Sequence, residues 1–172
     1  AGYVLLATRA GIVKKTELSA FSNPRAAGII ALSVESDDAL IGAVLTAGQD
    51  SVLLATRGGM AIRFPEGDVR PMGRQAYGVK GIELEPGDQV VALEVLSQGT
   101  VLTATENGYG KRTERDEYRE QSRGGKGIIN IKTEGRNGAV VGVIAVKSGD
   151  QVMIITIEGK AMKTYLICFI DD

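Results

Sequence analysis

A stretch that ends in Thr and is followed closely by Gly returns four times along this chain at nearly constant spacing. Tyr3-Val4-Leu5-Leu6-Ala7-Thr8-Arg9-Ala10-Gly11 reappears as Ser51-Val52-Leu53-Leu54-Ala55-Thr56-Arg57-Gly58-Gly59 and as Thr100-Val101-Leu102-Thr103-Ala104-Thr105-Glu106-Asn107-Gly108. A fourth copy runs from Gln151 to Gly159, and the aligned glycines 11, 59, 108 and 159 lie 48, 49 and 51 residues apart. Such a period marks propeller blades and similar arrays, in which one unit cannot bury its apolar face alone and stacks on its neighbours. The repeat divides a single domain into units at residues 3–50, 51–99 and 100–150, with a partial fourth at 151–172.

Within each unit the pattern is β throughout. An apolar strand stops at the Thr, a short turn carries a Gly able to take positive φ, and a second strand follows, such as Ile12 to Thr16 or Tyr109 to Thr113. A longer polar loop leads to a third strand, at Gly28 to Leu32, Gly81 to Leu84 or Gly127 to Ile131, and a fourth runs over Leu40 to Leu45, Val90 to Leu96 or Val140 to Val146. The fold class expected is therefore all-β, a propeller-like repeat of four-stranded antiparallel blades. The charged stretch Glu114 to Gln121 reads as loop.

Composition narrows the chemistry. With no His and the single cysteine Cys168, the chain offers no His-based metal cage, no paired-Cys zinc site, no Ser-His-Asp triad and no internal disulfide. Neither a metal nor another cofactor is expected, and an enzyme is the poorest candidate. There is no apolar run of about 18 residues to cross a bilayer and no signal-peptide pattern, so the expected compartment is cytoplasmic, with no membrane partner.

The formal net charge is −1, which conceals segregation. Residues 57–80 carry five cations against two acids, and residues 111–136 carry eight against five. Acids gather instead at Glu35, Asp37, Asp38, Glu83, Glu85 and Asp88. Seven positions after the strand-ending Thr the four units carry Lys15, Arg63, Arg112 and Lys163. Two readings of this column stand side by side. It is a belt of positive charge on one rim of a radial array, or a set of strand-end cations that protect an exposed sheet edge. A second feature is the glycine-rich basic turn Gln121-Ser122-Arg123-Gly124-Gly125-Lys126-Gly127, which matches Gln75-Ala76-Tyr77-Gly78-Val79-Lys80-Gly81 at Gln, Gly, Lys and Gly. Main-chain N–H groups left open by glycine, beside two cations, suit a phosphate backbone, although the same turn also serves as a plain solvated connection. It is not a nucleotide-binding P-loop, because it lacks the required Gly and Lys order and opens a strand.

The repeat length, the hairpin pattern, Tyr109-Gly110-Lys111-Arg112-Thr113 and the turn at 121–127 together resemble the C-terminal domain of the bacterial DNA gyrase A family, with its topoisomerase IV relative. The resemblance covers residues 3 to about 163 and is most specific over Ala55 to Leu84 and Gly108 to Ile129. It implies a β-pinwheel whose blades exchange hairpins. It also implies a non-catalytic role, the wrapping of double-stranded DNA on a basic perimeter in support of supercoiling, within a holoenzyme containing the rest of gyrase A and gyrase B. The residues this assigns to sequence-independent DNA binding are Lys15, Arg57, Arg63, Arg74, Lys80, Lys111, Arg112, Arg123, Gly124, Gly125, Lys126 and Lys163.

Two departures accompany the resemblance. The family's glycine-rich box, Gln-Arg-Arg-Gly-Gly-Lys-Gly, belongs to the first of six blades, whereas Gln121 to Gly127 matches six of its seven positions in a unit resembling the fifth. The chain starts at what resembles the third blade, and Tyr165 to Asp172 leaves the family pattern. Open blade edges then favour a homo-oligomer or a swap of the hairpin Val152 to Lys163. The competing functional readings are a propeller-like protein-interaction module and an inactive truncated fragment.

Overall fold

The computed structural model describes residues 2–97, 99–155 and 159–165, and of 161–165 only the backbone. The first unit supplies β1 (Tyr3–Thr8), β2 (Ile12–Glu17) and β3 (Leu40–Thr46). The second supplies β4 (Ser51–Thr56), β5 (Met60–Pro65), β6 (Val79–Lys80) and β7 (Val90–Val95). The third supplies β8 (Thr100–Thr105), β9 (Gly110–Glu114), β10 (Ile128–Ile129) and β11 (Val140–Val146). Last come β12 (Gln151–Ile155) and β13 (Ala161–Tyr165), which pair with each other. The remainder of the hairpin expected to swap, residues 156–158, and the divergent ending at 166–172 lie outside the described residues.

The sheets are all antiparallel, and their membership differs from the one-unit, one-blade expectation. The strand order in the first is β3-β1-β2-β6 and in the second β10-β5-β4-β7, so each takes its outermost strand from the following unit. A third strand inside its own unit is thus replaced by a two-residue ladder onto the preceding one, Val79 against Val13 and Ile128 against Ala61. The corresponding segment of the first unit, 28–32, forms no strand. The loop reading of 114–121 needs a smaller correction. A 3-10 turn at Arg115–Glu117 follows β9, as Leu18–Phe21 follows β2 and Glu66–Asp68 follows β5, and a reciprocal capping box between Glu114 and Glu117 fixes it.

The recurring Thr and Gly have local causes. Thr8 Oγ1 accepts from the Ile12 N–H at 3.3 Å and Thr56 Oγ1 from the Met60 N–H at 3.1 Å, closing each hairpin from the side. Gly59 has φ +88°, and a Cβ there would lie 2.1 Å from the Ile131 carbonyl oxygen, so both the turn and the approach of the next unit require glycine.

β4 is buried on both faces because the first sheet covers its own on one side and the third covers it on the other, whereas β12 exposes Met153 and Ile155. Leu5, Val13, Leu54, Phe64, Val69 and Ile82 fill the space between the first two sheets, and Leu53, Ala61, Val101, Tyr118, Val140 and Val143 the space between the second and third. Each fully buried side chain of this size contributes about 1.5–3 kcal/mol, so inter-unit contact is the main source of cohesion.

Candidate nucleic-acid interface

The loop that follows the 3-10 turn of one unit runs along the outer edge of the unit before it. The Met72 N–H donates to the Lys15 carbonyl at 2.8 Å, and the Gln121 N–H donates to the Arg63 carbonyl at 3.0 Å. Pro71 and Glu120 form parallel bridges to Lys15 and Arg63. These edging loops carry Arg74, Lys80, Arg123 and Lys126 of the candidate cations, and they correct the alignment of the two glycine-rich turns.

Met72 to Gly78, not Gln75 to Gly81, occupies the place of Gln121 to Gly127. Arg74 Nη1 donates to the Ile30 carbonyl at 3.0 Å, and Arg123 Nη1 donates to the Lys80 carbonyl at 2.9 Å. Gly78, with φ +108°, and Gly127, with φ +79°, press against the preceding strand, where a Cβ would stand 2.6 Å from Val13 O and 2.2 Å from Ala61 O. In this register Tyr77 stands where Lys126 stands, and Lys80 where Ile129 stands.

Two members of the one-cation-per-unit column, Lys15 and Arg63, face inward. Lys15 is only 4% exposed. Its Nζ donates to the Glu66 carbonyl at 3.0 Å, lies 3.6 Å from Glu66 Oε1 and sits 5.0 Å from the centre of the Tyr3 ring. The Glu66 carboxylate, fully buried, also accepts from Thr46 Oγ1 at 2.6 Å and the Gly48 N–H at 2.9 Å. Arg63, its side chain 10% exposed, donates from Nη1 to the carbonyls of Arg115 at 3.3 Å and Tyr118 at 3.1 Å, and from Nε to Ser51 Oγ at 2.8 Å. Each of these two cations therefore holds the 3-10 turn of the next unit against its own sheet. The rim position expected for Lys15 and Arg63 is corrected: the next unit's loop covers the strand end that carries them. Arg112 repeats half of the arrangement, its Nε donating to Thr100 Oγ1 as that of Arg63 does to Ser51 Oγ. Lys163 is on β13 opposite Met153, and its side chain lies outside the described residues.

The box residues divide likewise. Arg123 folds back, its Nε donating to the Asp68 carbonyl at 2.9 Å, and the Gly124 N–H donates to the Gly81 carbonyl at 2.7 Å. The Gly125 carbonyl accepts from the Glu83 N–H at 2.9 Å, so this turn is stitched to the loop of the second unit by its main chain. Lys126 points to solvent and pairs with Glu85 at 2.9 Å, which raises the ammonium pKa. Lys80 is exposed and Lys111 half-buried, neither with a side-chain partner among the described residues. Arg57 is at the opposite, hairpin end. There it pairs with Glu106 at 3.4 Å in a shallow cleft of about 360 Å³, whose lining also includes Asp88, so both signs of charge are present.

Three groups had no distinctive signal in the sequence. Lys14 is fully buried, its Nζ donating to the Ala31 carbonyl at 2.8 Å and to that of Arg74, and burial followed by the Arg74 charge pushes its pKa down. Asp38 and Asp88 tie hairpin turns to the starts of β3 and β7, accepting from the N–H groups of Ala10 and Ala39 and of Gly58 and Gln89. Burial alone would raise the Asp38 carboxyl, but bonds from Thr8, Ala10 and Ala39 and the Arg9 charge hold it below the usual range. Arg70 and Arg119, counted in the sequence only toward local charge, are exposed on successive edging loops without a partner among the described residues.

This architecture is matched in known proteins. The chain is 50% identical over 162 residues to the A subunit of DNA gyrase from Salmonella typhimurium and 44% identical over 170 residues to that from Streptomyces coelicolor, in each case over 94% of this chain. It spans about a fifth of the length of these relatives, 18% and 20%. Among solved structures, the C-terminal domain of DNA topoisomerase IV superposes with a TM-score of 0.90 at 27% identity, over 96% of this chain and 52% of that one. The DNA gyrase A C-terminal domain gives 0.86 at 30% identity, over 94% and 55%. A family model described as the DNA gyrase C-terminal domain, beta-propeller, matches at residues 2–47, 50–97 and 99–147. Together with the propeller-like strand exchange, these matches establish that the chain belongs to the DNA gyrase A C-terminal domain family.

Proposed function

We propose that this chain is a non-catalytic DNA-binding module of a type II topoisomerase, which lays double-stranded DNA along its edging loops and bends it there. The observation that supports this reading best is the division of labour among its cations. Lys15 and Arg63 are held inside by carbonyls and carboxylates, while Arg70, Lys80 and Arg119 face solvent without partners among the described residues. Cations on an outer edge contact phosphates rather than bases, and the described residues include no α-helix to lie in a major groove, so binding discriminates little among sequences beyond their bendability. In the cell the module works in the cytoplasm, on the nucleoid, beside the rest of gyrase A and gyrase B.

The test is binding to a linear duplex of about 150 base pairs, one persistence length, titrated with salt. The expected result is an association constant that falls steeply and linearly on a double-logarithmic plot, with a slope of about −0.9 per phosphate contacted. Absence of binding at low salt would overturn the reading in favour of a protein-interaction module or an inactive fragment.

A further inference from the structure

Resting on the DNA-binding reading, the geometry points to Arg70 and Arg119 as equivalent phosphate anchors on successive units, with Lys80 as a third contact between them. The equivalence comes from the main chain. Each arginine immediately precedes the residue that bridges to the outer strand of the unit before it, Pro71 to Lys15 and Glu120 to Arg63. Each immediately follows an anchor buried in the core, Val69 at 0% and Tyr118 at 1% exposure. With its neighbour on one side locked inward and the backbone on the other held to a strand, the side chain at this place must leave the surface. Both are exposed.

Neither guanidinium has a hydrogen-bond or ion-pair partner among the described residues. Among the described residues, the arginines at 9, 57, 63, 74, 112, 115 and 123 donate to protein acceptors, and Arg136 stacks on Tyr109. Arg25, Arg70 and Arg119 have no such partner among those residues. The nearby acids are engaged elsewhere. Asp68 accepts from the Arg123 N–H at 3.3 Å, Asp116 and Glu120 lie 3.9 and 3.7 Å from the Arg63 guanidinium, and Glu117 caps its own turn. These acids make their contacts with other groups, and the outward guanidinium forks are left unpaired for a polyanion, where planar bidentate pairing with phosphate is favourable. Lys80 adds a point charge on a backbone fixed by Arg123 through its carbonyl. Its counterpart in the third unit is Ile129, 64% exposed, and Arg25, the exposed arginine of the first unit's loop, does not precede a bridged residue, so the track is strongest along the loop of the second unit.

The experiment compares the whole chain with its R70Q/R119Q, K80Q and R25Q variants on the same duplex. R70Q/R119Q is expected to flatten the salt slope by about 1.8, and K80Q by about 0.9, at unchanged melting temperature. R25Q is expected to leave the slope as it is. If the parent chain binds and R70Q/R119Q retains its affinity and slope, the assignment of these anchors is overturned and the DNA-binding reading stands. If the parent itself does not bind, both fall. A loss in R25Q equal to that in R70Q/R119Q would also overturn the placement, since charge alone, not position, would then explain binding.

Discussion

Glu66→Ala is expected to destabilise the chain by about 3–5 kcal/mol, the usual cost of stranding one member of a buried ion pair. Among the described residues Lys15 would be left with only the Glu66 main-chain carbonyl and the Tyr3 ring near its buried ammonium, and Thr46 Oγ1 and the Gly48 and Asp50 N–H groups would lose their acceptor. Against a typical net stability of about 5–15 kcal/mol the loss removes a large share of the margin. Urea unfolding followed by far-UV circular dichroism measures it. The double variant K15M/E66L, which replaces the pair with apolar groups of similar volume, is expected to recover only the part due to the stranded ammonium, since Thr46 Oγ1 and the Gly48 and Asp50 N–H groups still lack their acceptor. A single variant as stable as the parent would show that the first and second units do not depend on this contact.

Arg63→Ala is expected to cost about 2–4 kcal/mol, because it removes the donors to two carbonyls of the next unit's turn and to Ser51 Oγ at a site that water reaches poorly. Arg63→Lys keeps the charge but not the planar fork and is expected to recover less than half of the loss. The informative control is DNA binding at a temperature where the variant is fully folded. There the salt slope is expected to equal that of the parent. A slope flatter by about one at unchanged stability would mean that Arg63 touches phosphate after all and that the column belongs to the interface.

Much of the fold is legible in the sequence because local residues carry it. The Thr that closes each hairpin and the Gly that turns it act within four residues, so their recurrence marks both the period and the strand ends. The strand exchange is not legible. Two-residue ladders such as Val79 with Val13 are set by a contact more than sixty residues away in sequence, and nothing in Gly28 to Leu32 distinguishes a segment that forms no strand from one that does. Matching letters mislead the alignment of the glycine-rich turns for a related reason. Gln75 and Gln121 are the same residue type, but the register is fixed by Gly78 and Gly127 against the strand behind them. With that register in place Arg70 and Arg119 fall into one column, which is the signal that would have found them.

The column of Lys15, Arg63 and Arg112 is a product of the repeat, yet neither of the two roles weighed for it, a basic rim or edge protection, is a latch between units. Sequence marks a position as basic and cannot tell whether the next unit's loop lies over it. A cation beneath such a loop finds carbonyls and a carboxylate, as Lys15 does at Glu66. One beside it, such as Arg70, finds solvent.

The most direct measurement of the central claim is the linking number of a nicked plasmid sealed by ligase with the whole chain bound, read by gel after the protein is removed. Wrapping along the edging loops is expected to shift the topoisomer distribution progressively with protein concentration, and R70Q/R119Q is expected to abolish the shift. A distribution that stays centred where it is without protein, at concentrations that saturate binding, would contradict wrapping.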